Sequence, residues 1–195
     1  MDFANSQTRI NLMRSFAGES MARNRYTFAA AMAENNGYHA ISEVFKFTAR
    51  QEKEHAEVFY NFLKKEMGQS VEITGGYPVD NDTSILTLLK SSVSNEYEEN
   101  ETVYPQFASI AKEEGFSEIA AAYTMIAEIE KVHGDRFAKF AQLLETDRLF
   151  KSDTEETWIC LNCGRIHKGK APAQICPVCK ADIGFFVRTN TIVGA

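Results

Sequence analysis

Long apolar runs are missing from this 195-residue chain; none approaches the roughly 20 residues that a membrane-spanning helix needs. The opening MDFANSQTRIN lacks the apolar block of an export signal. Cysteine is confined to one stretch: all four lie between Cys160 and Cys179, as two CxxC pairs. With no export signal, that clustering reads as metal ligation in a reducing cytoplasm rather than as disulfides, and a cytoplasmic location is expected. Basic residues are in deficit, 21 against 27 acidic, for a net charge of −6. That balance gives little support to nucleic acid or an anionic membrane as a main partner, and neither is expected. A hydrophobic content of 44% and a charged content of 25% are ordinary for a globular protein with one sizeable core and a small appendage.

What is present, up to about Leu144, is a series of helix formers with few interruptions. The pattern predicts a first helix of about 28 residues from near Ser6 or Thr8, closed by Asn35-Asn36-Gly37. A second is expected from Tyr38 to Met67, ending at Gly68. The next 17 residues, GQSVEITGGYPVDNDTS, carry turn signals. A third helix is expected from Thr83 or Ser84 to Gly115, with Pro105 kinking it or costing a hydrogen bond, and a fourth from Ser117 into the 140s. Helices of about 30 residues are about 45 Å long. The long connection can stretch about 56 Å, enough to run the length of a bundle. Two helix hairpins joined by one long crossover form a ferritin-like four-helix bundle, expected over residues 1–147. A polar linker over 148–157 then leads to a cysteine module over 158–195, where TWICLNC and GFFVRTNTIV suggest short strands.

The helical stripes contain an anomaly. One joins Ile41, Phe45, Thr48, Glu52, His55, Phe59 and Phe62; another joins Ile119, Tyr123, Ile126, Glu130, His133, Phe137, Phe140 and Leu144. Each core-facing stripe is broken mid-helix by Glu-x-x-His. The first and third helices each place one Glu in their stripes, Glu19 and Glu96. Glu19 precedes Glu52 by 33 residues and Glu96 precedes Glu130 by 34, so the two hairpins carry the same set. A single Glu-x-x-His is usually two solvated residues, as Glu54, Glu57, Glu98, Glu101 and Glu128 are expected to be. Four carboxylates and two imidazoles at matching heights inside a bundle are tolerable only if cations neutralise them. Oxygen and imidazole donors suit iron or manganese. Symmetry makes Glu52 and Glu130 the bridges, Glu19 and Glu96 terminal ligands, and His55 and His133 one ligand to each metal. Glu99, one turn beyond Glu96, has no counterpart in the first hairpin, and periodicity leaves it open as ligand or solvated residue.

Cys160-x-x-Cys163 and Cys176-x-x-Cys179 form a four-thiolate site. On the motif alone structural zinc is favoured over redox-active iron; fusion to a redox-capable two-metal bundle reverses that preference. His39 and His167 are expected to be exposed and without a metal role.

These features together resemble rubrerythrin over essentially the whole length. The resemblance is carried by FAGESMARNRY (16–26), QEKEH (51–55), NEYEENETVYPQFA (95–108), EIEKVH (128–133), WICLNCGRIH and ICPVC. It implies a ferritin-like domain with a rubredoxin-like tail, two irons in the first and one iron on the four cysteines in the second. It further implies a peroxidase reducing hydrogen peroxide to water, with electrons from a reduced nicotinamide cofactor through a separate reductase or a rubredoxin. Glu19, Glu52, His55, Glu96, Glu99, Glu130 and His133 match the family's di-iron ligands, and Cys160, Cys163, Cys176 and Cys179 those of the single iron. By the family pattern His55 and Glu99 exchange on one iron, and Tyr26 and Tyr104 are tyrosines behind the ligands; Glu99, His55, Tyr26 and Tyr104 are therefore the catalytic candidates. Lys180 stands where rubredoxins usually have glycine. About 20 Å separates His133 from the end of its helix, so a homodimer is expected, head-to-tail or swapped, with one chain's cysteine module serving the other's bundle. A ferroxidase or iron-handling role and a non-catalytic electron carrier are the alternatives.

Overall fold

A computed structural model describes residues 2–192. Helix α1 (Gln7–Asn35) begins at Ser6, whose hydroxyl accepts from the Arg9 amide at 3.1 Å. It stops at Gly37, whose φ of 75° is open to glycine at little cost. Helix α2 (His39–Phe62) returns beside it and tightens into a 3-10 turn over Leu63–Glu66, so the regular helix is shorter than the pattern predicts. Helix α3 (Ile85–Glu98) is capped by Ser84, which accepts from the Thr87 amide. Helix α4 (Tyr104–Glu113) continues it, and α5 (Ser117–Glu145) closes the bundle.

Between α3 and α4 the expected kink takes a specific form, a π-helical turn over Glu99–Val103. Pro105 has no amide to donate and crowds the carbonyl four residues earlier; a wider turn just before it relieves both problems. Asn100 ties the turn to α5 through a 2.7 Å bond to the Ala127 carbonyl.

Two apolar clusters fill the bundle. One contains Phe45, Leu89, Phe137 and Phe140; the other contains Leu12, Phe59, Tyr123 and Ile126. Along every helix the acidic and imidazole positions fall between the two. The crossover passes along α1, touching it from Arg14 to Arg25.

The tail is an antiparallel sheet of order β2-β1-β3, with β1 Glu156–Cys160, β2 Ile166–Gly169 and β3 Phe186–Arg188. Strand β2 was not among the expected strands, and Thr189–Ile192 forms a short helix, α6, where a strand is expected. The linker is not a free polar tether. Leu149 is 6% exposed within the bundle's first cluster, and Arg188 donates to the carbonyls of Arg148 and Lys151. The tail rests on the bundle's end, where Val187 joins the first cluster and the His39 ring stacks on Phe185 at 3.7 Å. His39 is therefore half-buried at that contact rather than exposed. His167 lies in β2, also half-buried, with Nε2 3.1 Å from the Ala171 carbonyl.

Candidate metal centres

The polar layer between the two apolar clusters resolves into two sets of donors. Glu19, Glu52, His55 and Glu130 bring ligand atoms within 4.8 Å of one another, and so do Glu52, Glu96, Glu130 and His133. Glu52 and Glu130 belong to both. All six residues are buried, each from 0% to 7% exposed.

The detailed geometry separates metal ligation from ion pairing. His55 Nδ1 lies 3.1 Å from Glu52 Oε2 and 2.9 Å from Glu130 Oε1. His133 Nδ1 lies 2.9, 3.3 and 2.8 Å from oxygens of Glu52, Glu96 and Glu130. Yet neither Nδ1, nor either oxygen of Glu52 or Glu130, has a hydrogen-bond partner. The atoms converge without the alignment a proton would demand. Ligands at right angles about a metal, with bonds of about 2.1 Å, sit about 3.0 Å apart, which is the spacing observed. Buried polar groups are otherwise almost always paired. The residues fit two cations.

Two tyrosines shape the terminal carboxylates. Tyr26 donates to Glu96 Oε1 and Tyr104 donates to Glu19 Oε1, leaving the other oxygen of each unpaired. Each carboxylate thereby offers a single oxygen toward the layer.

The electrostatics of the metal-free layer show the same requirement. Burial and the neighbouring Glu130 and Glu52 push Glu19 well above the usual carboxylate range. Burial and Glu52 raise Glu96 to about 8. Burial would also raise Glu52, but the His133 and His55 imidazoles outweigh it and hold the carboxyl at about 2. Burial disfavours both imidazolium ions, yet the surrounding carboxylates carry His55 up to about 9 and His133 to about 12. Without metal, protons have to stand in for the missing positive charge.

Glu99 lies outside both donor sets, at the start of the π turn. It is half-buried and faces a cavity of about 370 Å³. Burial, then Glu96 and Glu130, raise its carboxyl well above the usual range. Arg14 and Tyr77, which also line that cavity, carry no periodic signal; the GGYP turn was the one trace of Tyr77 in the sequence.

In the tail, the Sγ atoms of Cys160 and Cys179 are 3.7 Å apart, as are those of Cys163 and Cys176. Disulfide sulfurs would be about 2 Å apart. Tetrahedral thiolates at about 2.3 Å from one metal would be about 3.8 Å apart. The two turns match: Gly164 and Lys180, each following its CxxC, have φ of 77° and 65° and donate to the carbonyls of Cys160 and Cys176. The Ala181 amide, donating to the Cys179 sulfur, draws that thiol down to about 6.

This pairing of sites is matched by known proteins. The rubrerythrin family model matches residues 11–141, and the model of the rubrerythrin rubredoxin-like domain matches 158–187. The chain belongs to the rubrerythrin family. Rubrerythrin of Clostridium perfringens is 46% identical over 182 residues, 93% of each chain. Rubrerythrin of Porphyromonas gingivalis is 40% identical, covering 95% of this chain and 92% of that one. A solved structure of fully reduced, all-ferrous nigerythrin covers 96% of this chain and 93% of its own, at TM-score 0.63 and 28% identity. Symerythrin from Cyanophora paradoxa, at 20% identity and TM-score 0.62 over 71% of this chain, shows the same bundle fold. The cofactors of this rubrerythrin are thus a pair of irons in the bundle and one iron on the four cysteines. Rubrerythrins are oxidoreductases, generally di-iron peroxidases that act against oxidative stress. Among the described residues no helix is long and apolar enough to cross a membrane.

Proposed function

We propose that this rubrerythrin reduces hydrogen peroxide to water, drawing electrons from a reduced nicotinamide cofactor through a reductase or rubredoxin and its own cysteine-bound iron. The carrying observation is the pair of donor sets sharing Glu52 and Glu130, with their oxygens and both imidazole Nδ1 atoms left unpaired. A pair of ferrous irons, when bound, would supply the two electrons that, with two protons, convert one peroxide to two waters.

In this reading Glu52 and Glu130, common to both donor sets, would be held in common by the two metals, Glu19 and Glu96 would be terminal ligands, and His55 and His133 would serve one metal each. Tyr26 and Tyr104 fix which oxygen of Glu96 and Glu19 faces the metals. Glu99 borders the cavity, its carboxyl raised above the usual range by burial and by Glu96, and would be placed to give a proton to a departing oxygen or to serve as a further ligand in place of His55. As domain bounds we take 1–147 for the bundle and 158–195 for the electron-transfer domain, with residues 1 and 193–195 outside the described residues; the joining stretch 148–157 packs Leu149 on the bundle and already begins β1 at Glu156. The reaction belongs in the cytoplasm.

The tail rests against His39, at the start of α2, while Glu52 lies 13 residues along that helix. That is about 20 Å, which supports a head-to-tail or swapped homodimer in which the cysteine iron of one chain serves the bundle of the other. Anaerobic single turnover tests the reaction: full reduction, then one equivalent of peroxide, should oxidise both iron centres with no mineral formed. Iron that accumulates as mineral would favour the ferroxidase alternative, and no reaction would remove the peroxidase reading.

A further inference from the structure

The crossover between α2 and α3 is fastened to the bundle on both sides of a glycine-rich turn. Arg14 Nε donates to the Thr74 carbonyl at 2.9 Å, and the Tyr77 hydroxyl donates to the Arg14 carbonyl at 3.1 Å. Further along, Asp80 accepts from Asn95 at 2.6 Å and lies 3.5 Å from Arg25 Nε. Between these fastenings, Gly75, Gly76, Tyr77 and Pro78 line the cavity of about 370 Å³ whose walls also include Glu99 and Tyr104. Tyr104 donates to Glu19, so a metal donor stands directly behind this wall of the cavity.

The Tyr77 ring packs against two glycines, tightly at Gly75 and in ordinary contact at Gly18. A Cβ at Gly75 would lie 3.3 Å from the ring, and one at Gly18 would lie 3.6 Å from it. Water takes about 30 Å³ in the liquid, and hydrogen peroxide is little larger. The chamber therefore holds far more than that substrate needs. Selection by size cannot come from its volume and falls to whatever narrows the approach.

We propose that Tyr77 is the specificity-determining residue of this channel: its ring, held between Gly18 and Gly75, admits hydrogen peroxide to Glu99 and Tyr104 and excludes alkyl hydroperoxides. The hydroxyl bond to Arg14 fixes the crossover, while the ring sets the width. This assignment rests on the peroxidase reading above.

The test compares kcat/KM for hydrogen peroxide and tert-butyl hydroperoxide in the iron-loaded wild type, Tyr77→Ala and Tyr77→Phe. Tyr77→Ala should raise the value for tert-butyl hydroperoxide about tenfold while that for hydrogen peroxide stays within about twofold. Tyr77→Phe, which keeps the ring, should behave as the wild type. An unchanged ratio in Tyr77→Ala overturns the proposal, and so does an equal gain in Tyr77→Phe, which would assign the effect to the Arg14 bond. A second readout needs no turnover. Cobalt(II) should enter the bundle of the metal-free protein several-fold faster in Tyr77→Ala, with cobalt on the four cysteines, whose thiolate bands are separate, as internal reference. Equal rates overturn the proposal. A wild type that reduces neither peroxide removes the peroxidase reading alone, and the cobalt rates still decide whether Tyr77 controls the channel.

Discussion

In the bundle, metal donors stand on four long helices whose packing on either side holds them in place; in the tail, four sulfurs stand on two turns, and besides Cys160 and Cys176 themselves the buried members of their apolar cluster, among the described residues, are Trp158 and Phe186. The first site is held by the fold and imposes a cost on it: acidic side chains are buried with their oxygens unpaired. The second has too little apolar surface to hold itself, so its metal has to act as its core. Loss of metal should thus relieve nothing in the tail, and in the bundle should exchange metal charge for protons.

The largest expected effect of that contrast is on metal removal. A structural four-thiolate site contributes about 10 kcal/mol or more of folding free energy. Trp158 is the chain's single tryptophan, buried and donating to the Gly169 carbonyl at 2.9 Å, so it reports on the tail alone. Stripping all metal should shift its fluorescence to that of a solvated indole while far-ultraviolet helicity is largely retained. A tryptophan signal that survives chelation would break the comparison.

The next effect concerns charge in the metal-free bundle. Glu96 stands at about 8 against an ordinary 4.5, so the folded chain keeps a proton that the unfolded chain has lost, and stability falls as pH rises between those values. His55 at about 9 and His133 at about 12, against 6.5, act in the same sense, their contribution fading as pH rises above 6.5. Glu52, held at about 2, works oppositely, but only below its ordinary 4.5. Metal-free protein should therefore melt at a lower temperature at pH 8 than at pH 6, whereas the metal-loaded protein should gain over it with rising pH, because metal displaces protons. Glu96→Gln should raise the metal-free melting temperature at pH 8 and lower the loaded one. A metal-free bundle indifferent to pH would contradict the account.

These residues also show where the sequence was informative. Glu-x-x-His at 52–55 and 130–133, Glu19 and Glu96 were legible because a buried carboxylate interrupts a helical stripe, and CxxC spacing is local. Glu99 was not settled, because its placement depends on the π turn that Pro105 induces, which has no period of its own. Tyr77, Leu149 and the stacking of His39 on Phe185 escaped notice for a different reason. Each contact sets an irregular segment against a helix distant in the chain, where no repeat reveals which side is covered.

Two smaller predictions sharpen the contrast. Gly134, beside His133, leaves room for the Tyr97 ring, which would lie 2.6 Å from an added Cβ; Tyr97 also donates to Asp135 at 2.8 Å. Gly134→Ala should separate α3 from α5 and lower bundle stability by about 1–3 kcal/mol in denaturant melts. In the tail, Lys180 holds a φ of 65°, which a side chain disfavours. Lys180→Gly should stabilise the loaded tail by about 0.5–1 kcal/mol, read from Trp158, without affecting the bundle.

The sharing of Glu52 and Glu130 by two metals is tested most directly by anomalous scattering at the iron edge from crystals of the fully reduced, iron-loaded protein. The account predicts two peaks in the bundle, each within ligand distance of both carboxylates, one beside His55 with Glu19 and one beside His133 with Glu96, and a third among the four cysteines. A single peak in the bundle, or two that do not share Glu52 and Glu130, would contradict it.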